Sequence, residues 1–270
     1  MSLPPGWHTD VAVLRLGGAV VVEHTDHIVV REPGNPRHHW GNFLLVTDGS
    51  TVDDADRWLA RFAKEFPEAE HVALGLVAEP VAAVWEAHGL TVETDDVLST
   101  DRVPAQRPCP DGYTARAFST ADDWAQHVAV GVRANEVTHE HEPTGYAAFT
   151  EARADTRRQL VAGGLGAWFG AFQGEELVAD LGIVDCGEAT ARYQSVGTDA
   201  DHRRHGLAGH LIGLAARWAQ ERGCTRWVIL TEVDNPAGRL YRSLGFVPDA
   251  QNVQVYQAPK HRAEAGSADP

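Results

Sequence analysis

The sequence predicts an α/β (α+β) fold, a central mixed sheet flanked by helices, preceded by a smaller unit of the same class. Three observations carry this. The stretch 190–198 reads as a strand that breaks at a basic turn, Arg203-Arg204-His205-Gly206, and opens at once into an amphipathic run. In that run Leu207, Leu211, Leu214, Ala215 and Trp218 recur at helical spacing. The run stops at Gly223, and 226–231 follows, short, apolar and partly β-branched, so strand, helix and strand make a right-handed parallel crossover. A second helix, opened by Asp234, Asn235 and Pro236 and closed by Gly245, is echoed at 84–92, where Trp85 stands in for Tyr241 and Gly89-Leu90 for Gly245-Phe246.

In chain order, 42–46 reads as a strand, 57–66 as an amphipathic helix and 71–76 as an apolar strand. With 84–92 they make a shortened copy of the C-terminal half; an unrelated small α/β domain is the alternative. Arg37, His38, His39 and Trp40 either line a cleft between the halves or form an exposed loop beside a buried aromatic. Residues 1–100 are expected to be one domain, the proline-rich 101–111 a linker, and 112–257 a second domain. Residues 258–270 lack an apolar period and are expected to be a mobile tail. In the second domain 113–117 is a strand, 121–133 a helix and 135–143 a loop. His139 and His141, two apart with no third ligand of clear spacing, make a solvated loop and no metal site. A hairpin joins 166–172 to 177–185 through 173–176.

The turn at 203–208 carries chemistry. A strand that breaks into a helix start leaves several backbone N–H groups unpaired and aimed at one point, where the helix dipole favours negative charge. Gly206 lets the backbone approach a ligand, Ala208 keeps the first turn thin, and Arg203 and Arg204 add donors suited to phosphate. These features describe a pyrophosphate cradle.

The segment Arg203-Arg204-His205-Gly206-Leu207-Ala208 resembles the Q/R-x-x-G-x-G/A signature of the GCN5-related N-acetyltransferase (GNAT) superfamily, and Tyr241 to Phe246 resembles its later Y-x-x-x-G-F. The resemblance implies a GNAT fold from about 112 to 257, with a degenerate GNAT-like domain before it. It implies acetyl-CoA as the acyl donor, bound at Val196, Gly197, Thr198, Arg203, Arg204, His205, Gly206, Leu207 and Ala208, with a thioester carbonyl against the strand at 196–198. The family's Asn stands seven before the Tyr; here Asp234 holds that place and Asn235 stands six before, so Asn235 is the expected pantetheine contact. Tyr241 is the expected acid for the departing thiolate, because a phenol with an unperturbed pKa near ~10 holds a proton at neutral pH. The loop at 135–143 is expected to cap the acceptor.

No general base is assigned. The strand 190–198 holds neither Glu nor His, and Glu136, Asp180, Glu188 and Glu232 are remoter candidates beside a water relay. In the N-terminal copy, 47–54 has no basic residue and carries Asp48, Asp53 and Asp54, which repel phosphate, and Trp85 has no proton to give a thiolate.

A formal net charge of -15 argues against nucleic acid or an anionic membrane as partner. Three cysteines without framework spacing, no signal peptide and no long apolar span suit a cytoplasmic chain. The expected reaction is direct transfer from acetyl-CoA to a small-molecule primary amine in a ternary complex. A non-catalytic acyl-CoA-binding module and a protein N-terminal or lysine acetyltransferase are the alternatives.

Overall fold

A computed structural model describes residues 3–138 and 142–257. His139, Glu140 and His141 of the predicted acceptor loop and the predicted tail 258–270 lie outside the described residues. The N-terminal half runs α1 (Pro5–Leu16), β1 (Val20–Glu23), β2 (His27–Arg31), β3 (Phe43–Val46), α2 (Ala55–Glu65), β4 (Val72–Leu76), α3 (Ala82–Glu86), β5 (Thr91–Thr100). The C-terminal half runs β6 (Thr114–Ala117), α4 (Ala121–Thr138), α5 (Pro143–Ala162), β7 (Gly166–Gln173), β8 (Glu176–Asp185), β9 (Thr190–Thr198), α6 (Leu207–Gln220), β10 (Arg226–Glu232), α7 (Pro236–Ser243), β11 (Val247–Gln257). From β1 to β5 and from β7 to β11 the order of elements is the same, which is the repeat that Trp85 and Tyr241 signal in the sequence.

The halves do not close separate sheets. All strands join one sheet in the order β1-β2-β3-β4-β11-β5-β10-β9-β8-β7-β6. β5, the last strand of the first half, lies antiparallel between β10 and β11, while β11, the last strand of the second, lies antiparallel between β4 and β5. Each half lends its final strand to the other. Without it, β4 and β10 would each present an open ladder of N–H and C=O groups, the edge that proteins otherwise shield. Val97, Leu98 and Val255 at this seam are wholly buried.

Alternation along β5 assigns the faces. Leu98 joins the core under α6 and α7, and Val92, on the same face, packs into the core under α2 and α3. Those four helices therefore cover one face. α1 covers the central strands of the other face, where α4 and α5 cover β7 and β8. Residues 101–111 have almost no regular structure but are packed: the Gln106 backbone lies where a Cβ on Gly213 would stand, and His210 Nδ1 donates to the Arg107 carbonyl at 2.7 Å.

Two segments depart from the sequence reading. α4 runs on to Thr138, so 135–138 is helix and not loop. α5 has no strong apolar stripe, because only Thr150, Ala154 and Leu160 are buried, and its start is set by chemistry instead. The Glu142 carboxylate accepts from the N–H groups of Thr144 and Gly145 at 2.8 and 2.5 Å, with Pro143 in the first turn.

The exchange of strands predicts that neither half folds alone. Fragments 1–104 and 105–270, prepared separately, are expected to show no cooperative thermal transition, and to recover one, with co-elution on size exclusion, when refolded together. A cooperative transition for 105–270 alone would contradict this account.

Candidate functional site

The basic turn sits at the start of α6, as its spacing predicts. Gly206, the cap residue, has φ 90°, and Arg204 has φ 65°, so the backbone doubles back twice within three residues and forms a concave nest. Space around Gly206 is open, so its left-handed φ, not crowding, calls for glycine. No side chain caps this helix, and the N–H groups of Gly206, Leu207 and Ala208 find no acceptor among the described residues. Arg203 lies back along the strand end, its Nε donating to the Thr198 carbonyl at 3.2 Å. His205 Nδ1 is bonded to the His202 carbonyl at 3.2 Å. The Leu207 side chain is buried in the core beneath, so only its backbone faces the nest.

The equivalent turn of the first half is closed by its own acids. Asp48 accepts from the N–H and hydroxyl of Ser50, and Asp54 accepts from the Arg57 N–H at the start of α2. Where α6 leaves donors open, α2 has filled them with carboxylate. Trp85 is fully buried, its Nε1–H given to the Val52 carbonyl at 3.1 Å.

Ahead of the nest the sheet splits. β9 and β10 pair in parallel from Thr190–Arg226 only as far as Arg192–Val228, and the remaining residues of the two strands diverge. The cause lies on the other side of β9. There the register with β8 shifts between Asp180 and Gly182, a bulge at Ser195 and Val196 in which Ser195 takes φ 49°. Ser195 is held there by a chain of hydrogen bonds that starts from a buried His127–Asp180 pair. His127 bonds Asp180 through Nδ1 and Arg157 through Nε2 at 2.6 Å, and Arg157 donates to Ser195 Oγ at 2.5 Å. Val196, Gly197 and Thr198 thus line one side of an open gap that ends at the nest.

Tyr241, on α7, packs in the core beneath this gap with Tyr193, Ile229 and Phe246. Burial pushes its phenol up to about 12, against a weaker lowering by the Arg192 guanidinium, so it holds its proton across the physiological range. Asn235 caps the start of α7. Its Oδ1 accepts the Ala237 N–H at 2.9 Å and its Nδ2 reaches Glu232 at 3.2 Å, so both ends of the amide are engaged in starting α7.

On the opposite face, a cavity of about 280 Å³ opens against the gap, with Arg192, Gln194 and Leu230 in its floor. The N-terminal half builds much of its wall. Trp7, Trp40 and Phe43 form an aromatic cluster with centroids 5.8 to 6.2 Å apart, and His38 and Trp40 do line the cleft. Asp10 accepts from Arg192 at 2.9 Å, and Glu32 is bonded to His38 at 2.5 Å. α5 supplies Arg153 and Arg157.

Asp95, on β5, lines the same cavity beside the open end of β10, where it pairs with Glu232. Burial and the nearby carboxylates of Asp10 and Glu232 raise it to about 6, and Gln254 donates to it at 2.7 Å. The sequence reading missed it, because it comes from the other half and reaches the gap only through strand exchange. Its signal was an acidic pair, Asp95-Asp96, inside a strand of otherwise ordinary residues. The four carboxylates named from the sequence fit less well. Asp180 is committed to His127, Glu136 and Glu188 are exposed on α4 and on the turn before β9, and Glu232 is engaged by Asn235. Among the described residues no group of three or more His, Cys, Asp or Glu side chains could hold a metal, and no helix is long and apolar enough to cross a membrane.

No curated protein matches the chain. The family model described as Acetyltransferase (GNAT) family matches residues 134–246. Among solved structures the chain is similar to a GCN5-related N-acetyltransferase from Kribbella flavida, at 19% identity over 95% of this chain and 97% of the other, with a TM-score of 0.63. It is also similar to a GNAT-family chain from Novosphingobium aromaticivorans, at 18% identity over 94% and 96%, TM-score 0.55. A tandem GNAT protein from the clavulanic acid biosynthesis pathway aligns at 16% identity over 95% of this chain and 89% of its own, TM-score 0.56. That last likeness covers both halves, as the repeated element order does. Residues 134–246 therefore match the acetyltransferase (GNAT) family, within a tandem fold whose N-terminal half repeats the element order of the C-terminal half.

Proposed function

We propose that the chain is an acetyl-CoA-dependent N-acetyltransferase that passes its acetyl group to a small primary amine by direct attack in a ternary complex. The observation that carries this reading is the gap between β9 and β10, which runs from an uncapped, left-handed nest at Arg203 to Ala208 to a partly open cavity on the far face. A pyrophosphate suits the nest, and an amide-rich arm suits the unpaired strand edges in the gap. The thioester carbonyl then lies against backbone N–H groups at Val196 to Thr198, where charge develops as the amine attacks.

The proton inventory is supplied by the chain's own groups. Asp95, raised to about 6, is ionised at neutral pH and takes a proton from the amine, directly or through one water. Tyr241 gives its proton to the leaving sulfur. Its pKa of about 12 would make it a poor donor to a thiol in water, but the desolvation that raises the phenol also raises a thiolate leaving into the same core. A cavity of about 280 Å³ roofed by the N-terminal half suits a small amine better than a segment of protein. The reading has no nucleic-acid or membrane partner in it, and it fits a cytoplasmic chain with Cys109, Cys186 and Cys224 reduced.

Calorimetry is expected to find one acetyl-CoA per chain, because of the two equivalent helices α6 keeps its donors open and α2 does not. Gly206→Asp sets a carboxylate and a strained φ in the nest and should abolish that binding while leaving the thermal transition cooperative. Unchanged affinity, or two equivalent sites, would sink the assignment.

Tyr241→Phe keeps the ring's packing and removes the proton. Acetyl-CoA affinity should hold, and the rate of thiol release from acetyl-CoA with an amine should fall by about 10²–10⁴. A wild-type rate, with chemistry shown to limit turnover, would leave Tyr241 a packing residue.

The pH profile of kcat/KM should carry an acid limb from Asp95. A base works ionised, so with the pKa raised to about 6 the rate falls as pH drops through that value. Asp95→Asn should lower the rate and erase this limb, leaving only the limb set by the free amine; persistence of the limb near 6 would exclude Asp95. No limb from Tyr241 is expected below about pH 11, since its phenol lies near 12.

A further inference from the structure

The cavity above the gap carries more donors than the chain itself uses. Arg153 and Arg157 stand one helical turn apart on α5 and both line it. Arg153 makes no ion pair or hydrogen bond among the described residues; its guanidinium rests over the Phe149 ring at 5.5 Å. Arg157 spends two N–H groups on His127 and Ser195, neither an anion, and lies over the Trp168 ring at 5.4 Å. Two further buried donors from residues of the same wall, Trp168 Nε1–H and Arg192 Nε–H, have no acceptor. The carboxylates that act on them are turned elsewhere, Glu32 to His38 and Asp180 to His127. Burial weakens both α5 guanidinium groups, and Arg157, pressed also by the charge of Arg153, falls to about 9. Two desolvated cations side by side are costly unless an anion joins them.

Another part of the lining, on β5, has the opposite character. Asp95, with Gln194 and Gln254, stands beside the open strand edges, where an attacking amine must be. One cavity therefore offers a carboxylate from β5 and a pair of guanidinium groups from α5, between aromatic walls. Its charged lining balances, Asp10, Glu32 and Asp95 against Arg153, Arg157 and Arg192, so a zwitterion enters without adding net charge. Guanidinium forks match a carboxylate in plane and spacing.

We propose that the acceptor is an amine that also bears a carboxylate, of the α-amino-acid class, with the carboxylate held by Arg153 and Arg157 and the amine turned toward Asp95 at the gap. This rests on the acetyl-transfer reading and specifies its substrate. Arg153 is a specificity-determining residue in this arrangement and takes no part in the chemistry.

The test uses the full chain with saturating acetyl-CoA and a panel of matched pairs, each α-amino acid beside the amine that remains when its carboxyl is removed. Thiol release should show kcat/KM at least about 10–100-fold higher for the acid member of the best pair, the worth of one or two charged hydrogen bonds. Arg153→Gln should raise KM for the amino acid by a similar factor, change kcat/KM for its decarboxylated partner far less, and so collapse the preference; Arg153→Lys should restore part of it. Preference for the decarboxylated amines, no turnover of any amino acid, or a preference untouched by Arg153→Gln would overturn the inference. Calorimetry with acetyl-CoA alone separates the two levels. If acetyl-CoA binds and the panel shows no carboxylate preference, only the acceptor class is wrong; if acetyl-CoA does not bind, the acetyltransferase reading fails and takes this inference with it.

Discussion

The antiparallel pairing of β5 with β11 is the contact on which the rest of the molecule depends. Each strand is flanked by the pair to which it does not belong in sequence, β5 by β10 and β11 by β4, so the two halves share one continuous ladder. Backbone hydrogen bonds of this kind must all form or leave buried groups orphaned, which makes the seam cooperative in a way that two docked surfaces are not. It also does chemical work. Asp95 reaches the catalytic half only because β5 is inserted there, and α1 lies across the same seam, bringing Trp7 and Asp10 over the gap. A half without nucleotide-binding features thus survives as the roof and one wall of the other half's cavity.

The two halves show how little separates an open site from a closed one in the same fold. Both have a strand, a turn and a helix at the equivalent place. In the second half the turn bends twice through left-handed backbone and leaves the helix uncapped; in the first, Asp48 and Asp54 take the N–H groups themselves. Orphan donors at a helix start are either satisfied locally or available to a ligand, and the choice between Asp and Gly at a few positions decides which. The sheet differs likewise. β3 and β4 stay paired from Leu44–Leu74 to Val46–Leu76, where β3 ends, whereas β9 is bent away from β10 by a bulge that Asp180, His127 and Arg157 pin at Ser195.

Polar groups that hold the sheet together on one side line the cavity on the other. Arg157 ties the bulge to α4 through His127 and, with its remaining donors, faces the acceptor cavity. Arg192 closes the paired part of β9, is held by Asp10, and projects its charge toward Tyr241. The gap, Tyr241 and the cavity are therefore coupled through two arginines rather than set side by side.

The local elements with a strong period or a capped end were legible in the sequence: the helix from Leu207, the strands around it, the helix closed by Gly245 and the hairpin at β7 and β8 all follow from spacing and turn chemistry within a few residues. So was the nest, since Gly206 and its neighbours are adjacent in the chain, and so was the repeat marked by Trp85 and Tyr241. What the sequence could not determine depended on partners far apart in it. α5 has too weak an apolar stripe to announce itself, and its N-terminus is fixed by one Glu142 carboxylate. The role of Asn235 turned on which N–H its amide would meet. The position of Asp95, the cavity and the exchange of β5 for β11 came only from tertiary structure, because strand pairing is made by hydrogen bonds between backbones, and the backbone is the same at every residue.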